Sequence, residues 1–416
     1  MPIHLPALRA LRHRNFSLFL SGQVCALIGY WMQSIAQGWL LYKMTGSATL
    51  LGILGFAGAL PILLLSPFAG LWSDRCNLHR VMFATQILEM LQAVTLATLA
   101  VAGILAPWHI ITLSMFMGVL IAIELPVRHA YLLELVGNKE DLPKAVAVTS
   151  LVGNCGRLVG PALAGLVIAS ISEAACFVIN AFSYTAVMIS FMMIKVTPTV
   201  REVNSTPMMQ GMREGFSYAW QNLPIRSLLL LLTVVGLLGT PYINLMPVLT
   251  REVFAVGARE MGFMIGAAGL GAVSGTLYLA TRGSVRGLVR LLTYAAFAAG
   301  VSLALVSHVK LVWLAIPLLA ITGFGILVTS VSINMIVQTI LDDNKRGRVM
   351  ALYTASFMGM SPFGALAAGA LADVIGISAT LTISGVCCAL GALLLISRHA
   401  RIRAELSETY ARLEIK

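Results

Sequence analysis

Three ionisable side chains stand inside long apolar stretches, Glu89, Glu124 and Arg157. At the centre of a membrane-spanning helix such a group costs about 3 kcal/mol or more, so it is a functional candidate by default. A carboxyl group held among apolar side chains can bind and release a proton. A guanidinium keeps its proton, and instead binds an anion or pairs with a carboxylate. Gln86 and Gln92 flank Glu89 three residues to either side, which puts all three on one helix face. Plainer readings stand beside these: Glu124 as an interfacial residue next to Arg128, and Glu89 as a packing residue bonded to a neighbour. The expectation is that Arg157 pairs with Glu89 or Glu124 in one conformational state only.

The elements that hold these residues follow from composition. The 416-residue chain is 58% hydrophobic and only 11% charged, against roughly 25% charged in soluble domains. A spanning helix needs about 20 mostly apolar residues. Twelve stretches qualify: 16–42, 49–72, 79–103, 107–127, 144–169, 173–195, 227–250, 261–281, 287–307, 310–336, 349–372 and 376–397. The fold class is therefore an all-α polytopic membrane protein with twelve transmembrane helices in two six-helix bundles. The bundles are expected at 1–195 and 227–397, joined by a polar linker at 196–226 and followed by a tail at 398–416. Within the linker, Met208 to Trp220 reads either as a short surface helix or as plain connection. The N-terminus is basic and runs directly into an apolar stretch, so the first helix is expected to remain uncleaved.

Twelve spans put both termini on one side. That side receives 23 of the 28 Lys and Arg, the other receives four, and Arg157 lies within a helix. Basic residues accumulate on the cytoplasmic side, so both termini are expected there. The net charge of +11 is thereby explained by orientation, and nucleic acid is not required as a partner. The six cysteines show no metal-ligand spacing and the seven histidines are scattered without an HExxH pair, which argues against a metal site, a cofactor or a membrane-embedded enzyme. No GxxxxGK[ST] loop offers ATP as a driver. The halves echo each other: Lys144 precedes Pro161 by 17 residues, and Lys345 precedes Pro362 by 17. Repeated halves suit alternating access around a central site.

Two segments carry a family likeness. GLWSDRCNLHRV at 70–81 resembles the loop 2–3 signature of the major facilitator superfamily, with Gly70, Asp74, Arg75 and Arg80 matching, Asn77 in place of a glycine and Leu78 in place of a basic residue. GRLVGPALAG at 156–165 resembles the antiporter motif on the fifth helix, with Gly156, Gly160, Pro161 and Gly165 matching. The glycines allow close helix packing, and the proline removes a backbone donor. The stretches 31–52 and 346–373 look like the bacterial efflux branch that includes enterobactin and macrolide exporters.

The resemblance implies a multi-pass protein of the bacterial inner membrane and a monomer. It also implies proton-driven export of an amphiphilic small molecule such as a drug or siderophore. Lysolipid flipping and metabolite import remain open alternatives. It further implies that helices 1, 4, 7 and 10 line a substrate cavity, with Tyr30, Gln33 and Gln37 on helix 1, Thr240, Tyr242 and Asn244 beside Pro241 on helix 7, and Asn334 with Gln338 on helix 10.

Overall fold

The computed structural model describes residues 10–73, 76–138, 140–195, 216–282, 284–341, 343–397 and 405. Among them, twelve helices are long and apolar enough to cross a membrane. Helices prevail because lipid offers the backbone no hydrogen bonds, so each span must satisfy its own. In chain order they are α1 (Arg14–Thr45), α2 (Ala48–Ser73), α3 (Leu78–Val101), α4 (Pro107–Val136), α5 (Leu142–Ser170) and α6 (Glu173–Met193). After α7 come α8 (Ala258–Ala280), α9 (Leu288–Val306), α10 (Val312–Ile340), α11 and α12 (Ile377–Ser397).

Local chemistry sets the ends. Gly46 closes α1 at φ +64°, donating its N–H to Tyr42 O, a left-handed position that favours glycine. Asn77 caps α3 by accepting from Arg80 N, and Ser172 caps α6 by accepting from Ala175 N. Helix α4 overruns its expected end at 127 and continues to Val136. Glu124 therefore lies within the helix rather than at its inner tip.

Two helices are interrupted. Helix α7 begins as Leu223–Val234, widens into a π turn at Val235–Gly239, tightens at Pro241–Ile243, and resumes through Met246–Val248 and a second π turn, Leu249–Val253. Helix α11 runs as Asp343–Thr354, a π turn at Ala355–Gly359, and Ser361–Ile375. The π turns at Val235–Gly239 and Ala355–Gly359 each end shortly before a proline, Pro241 or Pro362, which cannot donate to the ladder behind it. The two interruptions also pack on one another. A Cβ on Gly236 would meet Ser356 O at 2.8 Å and Phe357 O at 2.7 Å, and Thr240 Oγ1 lies 2.8 Å from Ser361 Oγ.

By contacts the chain forms two compact units. The first holds Met1–Gly46, Ile53–Asn204 and Gly257–Gly266; the second holds Ser47–Gly52, Ser205–Val256 and Ala267–Lys416. In the first, Phe19, Tyr131 and Phe191 pack as a cluster, with Tyr131 and Phe191 stacked at 6.1 Å. In the second, the apolar core joins α7, α9, α10 and α12 through residues such as Leu232, Leu292, Ile333 and Ala392. Lipid tails are as apolar as leucine, so close packing at small residues must hold the helices together. Gly271 faces Ala320 O and Gly323 faces Ala268 O, joining α8 and α10 reciprocally. Within the second unit, Asp373 accepts from Ala48 N at 2.7 Å, Thr49 N at 2.8 Å and Ser47 Oγ at 2.9 Å, capping the start of α2.

Candidate functional site

The first unit gathers polar side chains from four helices. Helix α3 supplies Glu89, 4% exposed, and α4 supplies Glu124, 2% exposed. One turn before Glu89, the Gln86 amide donates to Glu89 Oε2 at 2.9 Å and to Glu124 Oε1 at 3.1 Å. One turn after Glu124, Arg128 donates to the same Glu124 oxygen through Nε at 3.2 Å and through Nη2. The i, i+3 spacing of Gln86 and Glu89 and the i, i+4 spacing of Glu124 and Arg128 put each pair on one helix face. Tyr184 on α6 borders both carboxyl groups. Glu89 Oε1 and Gln86 Oε1 are buried with no hydrogen-bond partner. The cluster thus holds two carboxyl groups against one guanidinium.

A second polar layer lies beside it. Gln33 on α1 donates to Gln92 Oε1 at 3.1 Å and accepts from Asn180 Nδ2 at 2.9 Å. Gln92 passes a bond on to Leu113 O at 3.2 Å. Gly29 permits this approach, since a Cβ there would run into the Asn180 and Ser183 side chains.

The fifth-helix motif also has a physical role here. A Cβ at Gly156 would touch Leu27 Cβ at 3.2 Å and Trp31 Cδ1 at 3.4 Å, and one at Gly160 would overlap Trp31 Cβ. The two glycines therefore seat α1 against α5. Gly165 does the same for the start of α8, where its Cβ would meet Ala258 O at 2.6 Å. Between the glycines, Arg157 is exposed and its guanidinium carbon lies 5.3 Å above the Trp31 ring.

The sequence-predicted residues separate accordingly. Glu89 and Glu124 come together, and Glu124 has Arg128 as its ion-pair partner in this arrangement, while Arg157 sits on Trp31. Gln33, 2% exposed, belongs to the helix-packing network rather than to an open face. Gln37 is 7% exposed, and its Nε2 lacks a partner. Tyr242 is buried, Thr240 bonds Ser361, and Asn334 accepts from Gln338 Nε2 at 2.8 Å. Arg80 is exposed, with its backbone N–H bonded to Asn77. Asp74 and Arg75 lie outside the described residues, as do 196–215 of the linker; Gly70 falls within α2. Sequence reasoning missed Asn180 and Tyr184. Their signal was present, since they are polar, four residues apart and share a face of an apolar helix.

A profile of the family described as transmembrane secretion effector matches residues 6–413. The chain belongs to that family, within the major facilitator superfamily. The staphyloferrin A transporter of Staphylococcus aureus is 28% identical over 375 residues, covering 88% of this chain and 92% of that one. The multidrug efflux pump Tap of Mycolicibacterium fortuitum is 25% identical over 373 residues, covering 87% and 90%. The nucleoside transporter NupG matches in fold with a TM-score of 0.73 at 10% identity, over 94% of this chain and 99% of that one. As a member of this family the chain is a twelve-span membrane transporter of small molecules with efflux-type relatives, and it is not an enzyme.

Proposed function

We propose that the protein exports an amphiphilic small molecule, a drug or a siderophore, in exchange for protons by alternating access. The carrying observation is the Glu89–Glu124 pair joined through the Gln86 amide beside the single guanidinium of Arg128. Arg128 balances one carboxylate. A proton on the second makes the cluster neutral, and its loss leaves a net negative charge buried among helices. That charge is costly in a medium of low polarity, so proton occupancy biases whichever arrangement hydrates the cluster better. The unpartnered Glu89 Oε1 is the atom at which such a proton would be exchanged.

Export is favoured because one similar protein is, by name, a multidrug efflux pump, and another is a staphyloferrin A transporter. The two six-helix halves, 1–195 and 227–397, would alternate between inward-open and outward-open arrangements. The setting is the bacterial cytoplasmic membrane, with both termini inside and a monomer as the working unit. Gly70, Asp74, Arg75 and Arg80 would secure the inner ends of α2 and α3 in one arrangement. Tyr30 and Gln37 on α1, with Thr240 and Asn244 on α7 and Asn334 on α10, would contact the solute.

The test is efflux from proteoliposomes of staphyloferrin A, erythromycin, rhodamine 123 and lysophosphatidylcholine, with and without an imposed pH gradient. Acceleration of a drug or siderophore by an acidic extracellular side is expected. Flux that ignores the gradient would remove the antiport claim, and movement of the lysolipid alone would replace the cargo.

A further inference from the structure

The second unit carries basic and aromatic side chains in pairs at one end of its helices, the end where α7, α9 and α11 begin and α8 and α10 finish. Residues 216–221 form a short helix ahead of α7. Ala219 sets it in the apolar core, and Lys345 Nζ lies 4.1 Å above the Tyr218 ring. Phe216 and Trp220 are left outside, 56% and 51% exposed and stacked at 5.7 Å, with the Arg226 guanidinium carbon 5.5 Å from the indole. The hairpin between α8 and α9 repeats the pairing on both sides of its turn. Arg282 donates to Arg286 O at 2.9 Å and reaches the Tyr278 hydroxyl at 3.5 Å, and the Arg290 guanidinium carbon lies 5.7 Å over the Tyr294 ring. Beyond Arg290, Tyr294, Val301 and Leu305 form an exposed stripe along α9 at helical spacing, and Leu270 and Leu277 form another along α8. Such apolar stripes face acyl chains, so the arginines at their ends stand at headgroup depth, where Trp and Tyr also gather.

We propose that this end of the second unit is a binding surface for anionic phospholipid headgroups. From Met261 to Leu341 the chain has no Asp or Glu, whereas the matching loop of the first half sets Asp74 beside Arg75. Arg282 meets a carbonyl and a hydroxyl, both neutral, and Arg290 meets a ring. A lipid phosphate supplies the anion that the loop itself lacks. Stacking engages the flat face of a guanidinium and leaves its N–H edge for the forked bonds that a phosphate accepts. Basic residues beside spanning helices attract anionic lipids, and the exposed rings add apolar contact at the same depth. A zwitterionic headgroup carries its own cation next to the phosphate and gains less from the patch. The inference does not rest on the export reading, since none of these residues belongs to the Glu89–Glu124 cluster.

The test offers the purified full chain, in detergent, equal amounts of phosphatidylglycerol and phosphatidylcholine, and counts the lipids that stay bound by native mass spectrometry. Wild type is compared with Arg226→Gln/Arg290→Gln and with Arg12→Gln/Arg14→Gln, which removes the same charge from the first unit. The wild type should retain phosphatidylglycerol in preference to phosphatidylcholine. Arg226→Gln/Arg290→Gln should lower that ratio roughly fivefold or more, since each basic residue near the surface contributes about that factor. The Arg12→Gln/Arg14→Gln control should keep most of it. A melting temperature raised by phosphatidylglycerol and not by phosphatidylcholine is expected in the wild type, a measurement that needs no variant to fold. Equal retention of the two lipids by the wild type, or an equal fall in both double variants, overturns the proposal.

Discussion

At the scale of single residues, the Glu124–Arg128 pair makes the sharpest claim. Removing one member of a buried ion pair costs about 3–5 kcal/mol, because the other charge is stranded. Arg128→Met should therefore lower the melting temperature of the purified protein by about 3–6 °C, read by tryptophan fluorescence. Adding Glu124→Gln to it should restore most of the loss, and simple additivity of the two changes would contradict the pairing. A second residue-scale prediction concerns Asp141, outside the spans. It accepts from Lys144 at 2.7 Å, His13 at 3.0 Å and Asn138 at 3.2 Å. The bond from Lys144 first, and then those from His13 and Asn138, hold its carboxyl well below the ordinary carboxylate range. A lowered folded value means that the stabilisation is present above about pH 4 and is lost as acidity increases from there. The stability gap between wild type and Asp141→Asn should be steady from pH 5 to 7 and should shrink below pH 4. A gap that widens on acidification would show the sign to be wrong. The site residues were partly legible at this scale. Glu89, Glu124 and Arg157 announce themselves by charge in apolar sequence. In sequence Arg128 reads only as the interfacial neighbour of Glu124, because it lies past the expected end of a span, whereas α4 continues for two further turns.

At the scale of elements, helix contacts are set by where side chains are missing. Gly160 and Gly153 lie on the same helix, yet a Cβ at 160 overlaps Trp31 and one at 153 meets nothing within 4 Å. Gly160→Ala should thus destabilise the protein and slow transport. Gly153→Ala should be neutral or stabilise by about 0.5–1 kcal/mol through the loss of backbone freedom. Equal effects of the two changes would contradict the packing of α1 on α5. The cap on α2 gives a parallel test: Asp373→Ala should cost about 1 kcal/mol, and a melting curve unchanged by it would argue against the three bonds Asp373 accepts. Hydropathy located all twelve helices because length and apolarity decide whether a segment can span. It could not place the π turns of α7 and α11. An i to i+5 ladder leaves no hydropathy signal, and Pro241 and Pro362 alone could not mark it, because Pro126, Pro161 and Pro317 stand inside uninterrupted helices.

At the scale of the whole molecule, the proposed antiport puts control of solute movement in the proton occupancy of one buried cluster. The antiporter-like motif was readable from GRLVGPALAG alone; that its glycines seat Trp31 beneath Arg157 was not, because the indole comes from a helix more than a hundred residues earlier. The most direct test counts protons. Proteoliposomes containing pyranine report internal pH while solute export proceeds, for wild type and for Glu89→Gln. Under the proposed antiport, a pH change in step with solute flux is expected in the wild type, and solute exchange without proton movement in Glu89→Gln. Proton flux that persists unchanged in Glu89→Gln, or solute flux with no proton flux in the wild type, would contradict it.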